Sequence, residues 1–193
     1  LNQGGAMKLV TADQMRAIDR DAIEQRGIPS LTLMENAGKA IAEQILHGNF
    51  LDSTHRQLAI CCGKGNNGGD GFVIARHLHH AGVTVDVWFI GPIDQLSHDA
   101  RVNFDAAAGT GVHLHQILSI DDVPAEFKHD VMIDAILGTG FSGSPNELVS
   151  ILIDRVNGHG GPIVSVDTPS GLDATTGSHG GKVVRASGTY TLA

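Results

Sequence analysis

Basic residues are in the minority in this chain. Thirteen lysines and arginines, 13 in all against 21 aspartates and glutamates, leave a formal net charge of -8. Nucleic acids and acidic membranes attract a basic face, so neither is expected as a partner. A phosphate-bearing ligand stays open, because a local turn binds phosphate whatever the global charge. No apolar run approaches the ~20 residues of a membrane-spanning helix, and no secretory apolar core precedes the first methionine, Met7. A soluble, cytoplasmic protein is the expectation. Cysteine is scarce, with Cys61 and Cys62 adjacent in one apolar run. Neighbouring side chains of a strand point to opposite faces, so this pair cannot form an ordinary disulfide, and buried thiols in a reducing compartment are expected. Repeats, low-complexity tracts and linkers are missing too. With 193 residues and 41% hydrophobic content the chain suits one well-filled core. Residues 7–193 read as a single domain, and the six residues before Met7 as a cloning remnant.

What is present centres on residues 58–78, LAICCGKGNNGGDGFVIARHL. A short apolar run leads into residues 63–71, where all but Lys64 and Asp70 are glycine or asparagine, types that let a ligand approach the main chain. The spacing predicts strand, turn and helix in succession, with the helix starting near residues 69–72. Its unpaired N–H groups then face the turn, an arrangement that suits an anion.

Before this unit, Thr11 and Gln14 have capping-box spacing, and Met15, Ile18, Ala22 and Ile23 recur at helical intervals, so a helix is predicted over 12–26. A second helix is predicted from Ser30 to Gly48, with Met34, Ala37, Gly38, Ile41 and Ile45 on one face. After it, strands are predicted over 83–90, 112–116, 130–137 and 163–166. Helices are predicted from Ser97 to about residue 108 and around Leu148, Ile151, Leu152 and Val156. The last residues, with Val183, Val184 and 189–192, read as a terminal hairpin or edge strand. Such alternation implies a mostly parallel sheet with helices on both faces, an α/β class and a three-layer sandwich. Ligands of these sheets bind outside the carboxyl ends of the strands, which selects the turns at 63–71, 138–144 and 167–173 as one candidate site.

Gly63, Gly65 and Gly68 satisfy G-x-G-x-x-G between a strand and a helix. A dinucleotide turn of the dehydrogenase kind also wants an acid at the end of the next strand, and neither Asp86, in mid-strand, nor Asp94, beyond Gly91, fits. Asp134, inside an apolar strand, needs a cation or several donors, because an ionised carboxylate is costly to bury alone. Asn67, Asp134 and Ser170 offer only hard oxygen ligands and one negative charge, a set for an alkali or alkaline-earth ion and not for zinc. Asp167 stands where the chain leaves the sheet before Pro169, the place for a general acid or base, although a turn aspartate reads equally well there. Lys64 could neutralise a phosphate or orient a hydroxyl. The 11 histidines include His77 and His80 at one-turn spacing, but with no cysteine or acid at ligand spacing they read as surface residues. Ser170 is no nucleophile elbow, because G-x-S-x-G is absent.

Four segments in this order carry a family resemblance: residues 33–38 (LMENAG), 63–71 (GKGNNGGDG), 134–140 (DAILGTG) and 166–173 (VDTPSGLD). On them the chain resembles the NAD(P)H-hydrate epimerases, the YjeF N-terminal domain family, from about residue 11 to 177. The resemblance implies a Rossmann-like three-layer α/β/α fold, a homodimer, and epimerisation at C6 of the hydrated nicotinamide ring of NADHX and NADPHX. It implies that Asn66, Asn67, Gly68, Gly69 and Asp70, with Gly138, Thr139, Gly140, Phe141, Ser142, Gly143 and Ser144, hold this small-molecule substrate. It further implies a potassium ion on Asn67, Asp134 and Ser170. C6 is a hemiaminal carbon, so the chemistry needs an acid and base beside it, a role given to Asp167 with support from Lys64. Larger members carry a dehydratase domain, so either a stand-alone epimerase or an excised domain is expected, with a dehydratase in cis or trans. A same-fold protein-binding module without catalysis is the first alternative, and a nicotinamide-dependent dehydrogenase the second.

Overall fold

A computed structural model describes residues 11–48, 50, 51 and 57–192; the proposed remnant before Met7 lies outside the described residues. Among the described residues five α-helices, α1 (Ala12–Glu24), α2 (Ser30–His47), α3 (Asn66–His80), α4 (His98–Ala108) and α5 (Glu147–Asn157), accompany six strands. The strands are β1 (Gln57–Cys62), β2 (Thr84–Ile90), β3 (His113–Ile117), β4 (Val131–Ala135), β5 (Ile163–Val166) and β6 (Gly188–Tyr190). They form one parallel sheet in the order β3-β2-β1-β4-β5-β6. Strands β4 and β5 are buried along their whole length, and β1 from Leu58 on. That is why they read as mainly apolar runs, broken in β4 by Asp134 and in β5 by Ser165: helices cover both faces.

The two faces build two cores. Ile60, Cys62, Phe89 and Val87 pack with Phe72, Ile74 and Leu78 of α3 and Phe104 of α4. The rings of Phe72, Phe89 and Phe104 meet edge to face at 5.0–6.2 Å between centroids. On the opposite face Ala59, Cys61 and Met132 pack with Leu152, Ile153 and Val156 of α5. The adjacent cysteines thus point into different cores, as strand parity requires. Burial first, then the negative charge of Asp134 or Asp70, holds both thiols well above their usual range, which keeps them unreactive.

One element starts elsewhere than expected, and another resolves an open alternative. Helix α3 begins at Asn66, with Gly65 as its extended cap, rather than at residues 69–72. Glycine is a poor helix former, but here the bare backbone is needed for packing. A Cβ on Gly69 would fall 2.7 Å from Met34 Sδ, and one on Gly71 would fall 2.5 Å from Cys62 Sγ. Close packing of helix on strand overrides propensity. At the other end, of the two alternatives for the last residues the edge strand is the one formed: Gly188–Tyr190 pairs parallel with β5, from Val164 opposite Gly188 to Val166 opposite Tyr190. The capping box at the start of α1 forms as read, with Gln14 N donating to Thr11 Oγ1 (3.2 Å) and Thr11 N to Gln14 Oε1 (2.8 Å).

Candidate active site

Strand order reverses between β1 and β4, because β1 leads outward to β2 while β4 leads the other way to β5. Such a switch point opens a crevice at the carboxyl ends of the strands. The turn after β1 and the turn after β4 meet there so closely that only glycine fits. Gly63 N donates to Ala135 O (3.0 Å), and a Cβ on Gly63 would fall 1.9 Å from Ile136 O. A Cβ on Gly68 would fall 1.9 Å from Gly63 O, and one on Gly138 would lie 2.7 Å from Asp167 Oδ2 and 3.2 Å from Asn67 Cβ. The glycines of these motifs therefore bring Asn67, Gly138 and Asp167 into direct contact.

Asp134 is fully buried at the end of β4, and four donors converge on it. Ser170 Oγ (2.5 Å) and Ile136 N (3.3 Å) reach Oδ1, while Ser165 Oγ (2.8 Å) and Ser170 N (2.9 Å) reach Oδ2. Burial pushes its carboxyl above the usual range, and these bonds, those of Ser170 foremost, pull the other way. Ser170 Oγ also accepts from Leu137 N (2.8 Å), which ties the turn after β5 to the turn after β4. Asn67, in the first turn of α3, is only 9% exposed, yet its amide oxygen and nitrogen are buried without any hydrogen-bond partner. An unsatisfied buried amide costs roughly 1–3 kcal/mol. Its place at a switch point makes it a candidate for a ligand contact.

Asp167 follows β5 with φ +65°, left-handed backbone that side-chain-bearing residues rarely adopt. Thr168 N donates back to Val166 O (2.8 Å), closing the rare, strained γ-turn around it, and Asp167 N donates to Tyr190 O (2.8 Å) in β6. Thr139 N pins its Oδ2 at 2.7 Å, and Oδ1 makes no hydrogen bond among the described residues. Strain of this kind persists only where the surroundings impose it, and it gathers at functional sites.

A cavity of about 820 Å³ covers these groups, within the size of a small-molecule site. Lys64, Asn66, Asn67, Asp70, Gly138, Thr139, Gly140, Phe141 and Asp167 line it, so most of the residues predicted to hold the substrate come together. Gly68 and Gly69 are buried in helix packing behind it. Ser142, Gly143 and Ser144 are not among its lining residues, and Ser144 Oγ donates to Gly180 O (2.8 Å). Asp134 and Ser170 lie beneath the wall. Lys64, in the turn after β1, and Asp167, after β5, line the same cavity, and Lys64 Nζ donates to Gln95 Oε1 (3.3 Å). Sequence reasoning missed Asn146, which lines the cavity and caps α5 through Val149 N (2.9 Å), and Gln95. Asparagine one residue before a helix was a signal for the first; nothing in the sequence marked the second.

The histidines are not simply at the surface. Asp86 near the start of β2 receives His115 Nε2 (2.8 Å), His129 Nε2 (3.0 Å) and, more distantly, His113 Nδ1 (3.4 Å). Burial opposes the ionised form of Asp86, but the bonds of His115 and His129 outweigh it and hold the carboxyl below its usual range. His77 Nε2 meets Glu35 Oε1 (2.8 Å), and Arg76 pairs with the other oxygen of Glu35, so α2 is clamped to α3. Among the described residues no group of histidines, cysteines and acids has metal-binding geometry. Asp86 is thus committed to imidazoles, and Asp94 is exposed and absent from the cavity wall, so neither of these two acids is placed for a dehydrogenase-type ribose contact.

A parallel sheet in the order 3-2-1-4-5-6, with a glycine-rich turn and a strained acid at its switch point, defines a Rossmann-type ligand-binding α/β protein. Residues 30–193 match the model of the family described as YjeF-related protein N-terminus, and the chain belongs to that family. It is 39% identical over 191 residues to the bifunctional NAD(P)H-hydrate repair enzyme Nnr of Moorella thermoacetica, covering 97% of this chain and 36% of that protein. It is 36% identical over 184 residues to the NAD(P)H-hydrate epimerase of Weissella koreensis, covering 95% of this chain and 80% of the relative. The crystal structure of yeast YNL200c superposes with a TM-score of 0.77 at 26% identity, covering 95% of this chain and 79% of that one. The chain therefore spans about a third of the bifunctional relatives and most of the shorter epimerase. Among the described residues no helix is long and apolar enough to cross a membrane.

Proposed function

We propose that this chain interconverts the R and S forms of hydrated NADH and NADPH at C6 of the nicotinamide ring, a metabolite-repair reaction. The observation that carries the reading is Asp167, held left-handed at a cavity wall with one carboxylate oxygen pinned by Thr139 N and the other unengaged. The family and the names of its relatives support it. At the hemiaminal carbon the lone pair of the ring nitrogen expels the hydroxyl, which takes up a proton and leaves as water. A water then adds to the opposite face of the iminium and gives up a proton. One carboxyl group that cycles between acid and base serves both halves, and Asp167 is assigned that role. The apolar part of the wall, with Phe141 and Leu137, limits competing water.

A potassium ion fits the donor set of Asn67, Asp134 and Ser170. All the donors are oxygens with one formal charge, and the amide oxygen of Asn67 is buried with no partner. When bound, such an ion supplies fixed positive charge at the switch point. The buried unpartnered amide supports the ion more strongly than Asp134 does, because four protein donors already reach that carboxylate.

The same reading takes the protein as a cytoplasmic homodimer acting on a free small molecule. The bifunctional naming of the longer relatives supports a second activity, by the resemblance a dehydratase, in the same chain or a separate one. A non-catalytic binding module of this fold has no use for a strained acid and an unsatisfied amide in one cavity. The test is to incubate the protein with the pure R hydrate and follow the S form by chromatography. Appearance of the S form well above the spontaneous rate supports the reading, and its absence refutes it.

A further inference from the structure

One buried hydroxyl has no part in the function above. Ser165 lies in β5 between Val164 and Val166, fully buried, and lines neither the cavity over the site nor a second cavity of about 700 Å³ bounded mainly by α1, α2 and residues 189–192. A hydroxyl in such a core is costly unless it finds a partner. The parallel ladder sets Ser165 opposite Asp134, and its Oγ donates to Asp134 Oδ2 (2.8 Å), the only side-chain hydrogen bond it makes among the described residues.

The two oxygens of Asp134 are served unequally. Oδ2 takes Ser165 Oγ and Ser170 N (2.9 Å), two short bonds that fill its two lone-pair sites. Oδ1 takes one short bond, from Ser170 Oγ (2.5 Å), while Ile136 N stays at 3.3 Å, longer than an ordinary N–H···O bond. Ser170 Oγ has Oδ1 as the nearer of its two acceptors, the other being Leu137 O (3.2 Å), and it accepts from Leu137 N (2.8 Å), so one of its lone pairs is left over. Spare acceptor capacity is therefore confined to Oδ1 and Ser170 Oγ, both of which contact the turn at 136–138. Gly138 of that turn is the residue whose Cβ would fall 3.2 Å from Asn67 Cβ, and Asn67 Oδ1 is a buried oxygen with no partner.

We infer that Ser165 is a positioning residue of the ion site: its hydroxyl holds Asp134 by Oδ2 from within the sheet, which fixes the carboxylate and reserves Oδ1 for a monovalent cation. Ser165 itself touches no ion. A partner that engages one oxygen of a ligating carboxylate sets the direction of the other, and outer partners of this kind govern metal affinity. This assignment explains why a core strand keeps a serine among apolar residues, and why four protein donors on Asp134 still leave it able to bind. The inference rests on the potassium reading above.

The test is thermal unfolding of the full chain at rising potassium chloride, with choline chloride holding the ionic strength constant. Stabilisation by a bound ion grows as ln(1 + [K⁺]/Kd), so the rise of the midpoint gives Kd for each protein. The wild type is expected to respond. Ser165→Ala is expected to unfold at lower temperature without potassium and to show a Kd roughly tenfold larger, the loss that follows removal of an outer partner from a metal ligand. Ser165→Cys, close to serine in size but a weak donor, should match Ser165→Ala. The inference falls if Ser165→Ala keeps a Kd within about twofold of the wild type, because Ser165 would then only satisfy a buried acid. It falls too if Ser165→Cys binds potassium as the wild type does, since side-chain volume and not the hydrogen bond would then hold the site. A wild type without any potassium response refutes the ion reading itself, whereas a responsive wild type with an equally responsive Ser165→Ala refutes only the role of Ser165.

Discussion

Two aspartates at opposite ends of the same sheet show how this molecule divides structure from function. Asp86, near the amino end of β2, has an imidazole on each oxygen and ordinary strand geometry within a ladder to β1 and β3. Asp167, beyond the carboxyl end of β5, is left-handed, half-buried and bonded through one oxygen only. Both oxygens of Asp86 have partners supplied by the chain, whereas one oxygen of Asp167 has none among the described residues, the condition of a group open to a ligand. Asn67, next to Asp167, has the same character as Asp167, whereas Asp134 combines the two: it is saturated by protein donors yet sits at the site.

Substitutions sharpen this contrast. The largest effect is expected for Asp167→Asn. Asparagine tolerates left-handed backbone and keeps an acceptor for Thr139 N, so the thermal midpoint should stay near that of the wild type while epimerase turnover falls by roughly 10²–10⁴. Normal turnover would remove Asp167 from the chemistry. Asp134→Ala comes next: it strands the hydroxyls of Ser165 and Ser170 and two backbone donors, and should cost about 3 kcal/mol in denaturant unfolding. It should also abolish any stabilisation by potassium, which the wild type is expected to show over sodium.

Asn67→Ala is the sharper case, because its amide has no partner to lose. Stability in the absence of potassium should change by no more than about 0.5 kcal/mol, or rise, while activity falls roughly tenfold or more. A large destabilisation would mean that Asn67 is satisfied in solution and that the ion site is misread.

Asp86→Asn should do the reverse, leaving turnover intact and lowering stability at pH 7 by about 1 kcal/mol. The pH dependence has a definite sign. The folded value of Asp86 is depressed, so its stabilising contribution is present above the ordinary aspartate value of 3.8 and is lost as pH falls through the folded value. The difference between wild type and variant should shrink only in that acid range; a difference that vanished above pH 5 would contradict the imidazole partnership.

Much of the architecture could be read in advance because burial on both faces writes itself as mainly apolar runs, as at residues 131–135 and 163–166 with Asp134 and Ser165 as their polar members, and caps write themselves at Thr11 and Ser97. The three turns at the strand ends could be read for the same reason, since motif glycines mark close approaches that a Cβ would block. Register and order could not be read. Nothing local says that β6 pairs parallel with β5, or that β1 lies between β2 and β4, because strand pairing is decided by contacts distant in sequence. The start of α3 was misplaced because glycine propensity argues against helix where packing demands it. Lys64 and Asp167 read together because both belong to motif turns, whereas the bond of Lys64 to Gln95 joins two segments distant in sequence and leaves no local mark. Asp86 was weighed as a ribose ligand because its three histidine partners come from two other segments.

The most direct test of the account is a time course of pure R-hydrated NADH with wild type and Asp167→Asn side by side, with both proteins shown to be folded. Rapid approach to an R and S mixture by the wild type, with the variant near the spontaneous rate, is the expected result. Equal rates in the two proteins, or no conversion by the wild type, would contradict it.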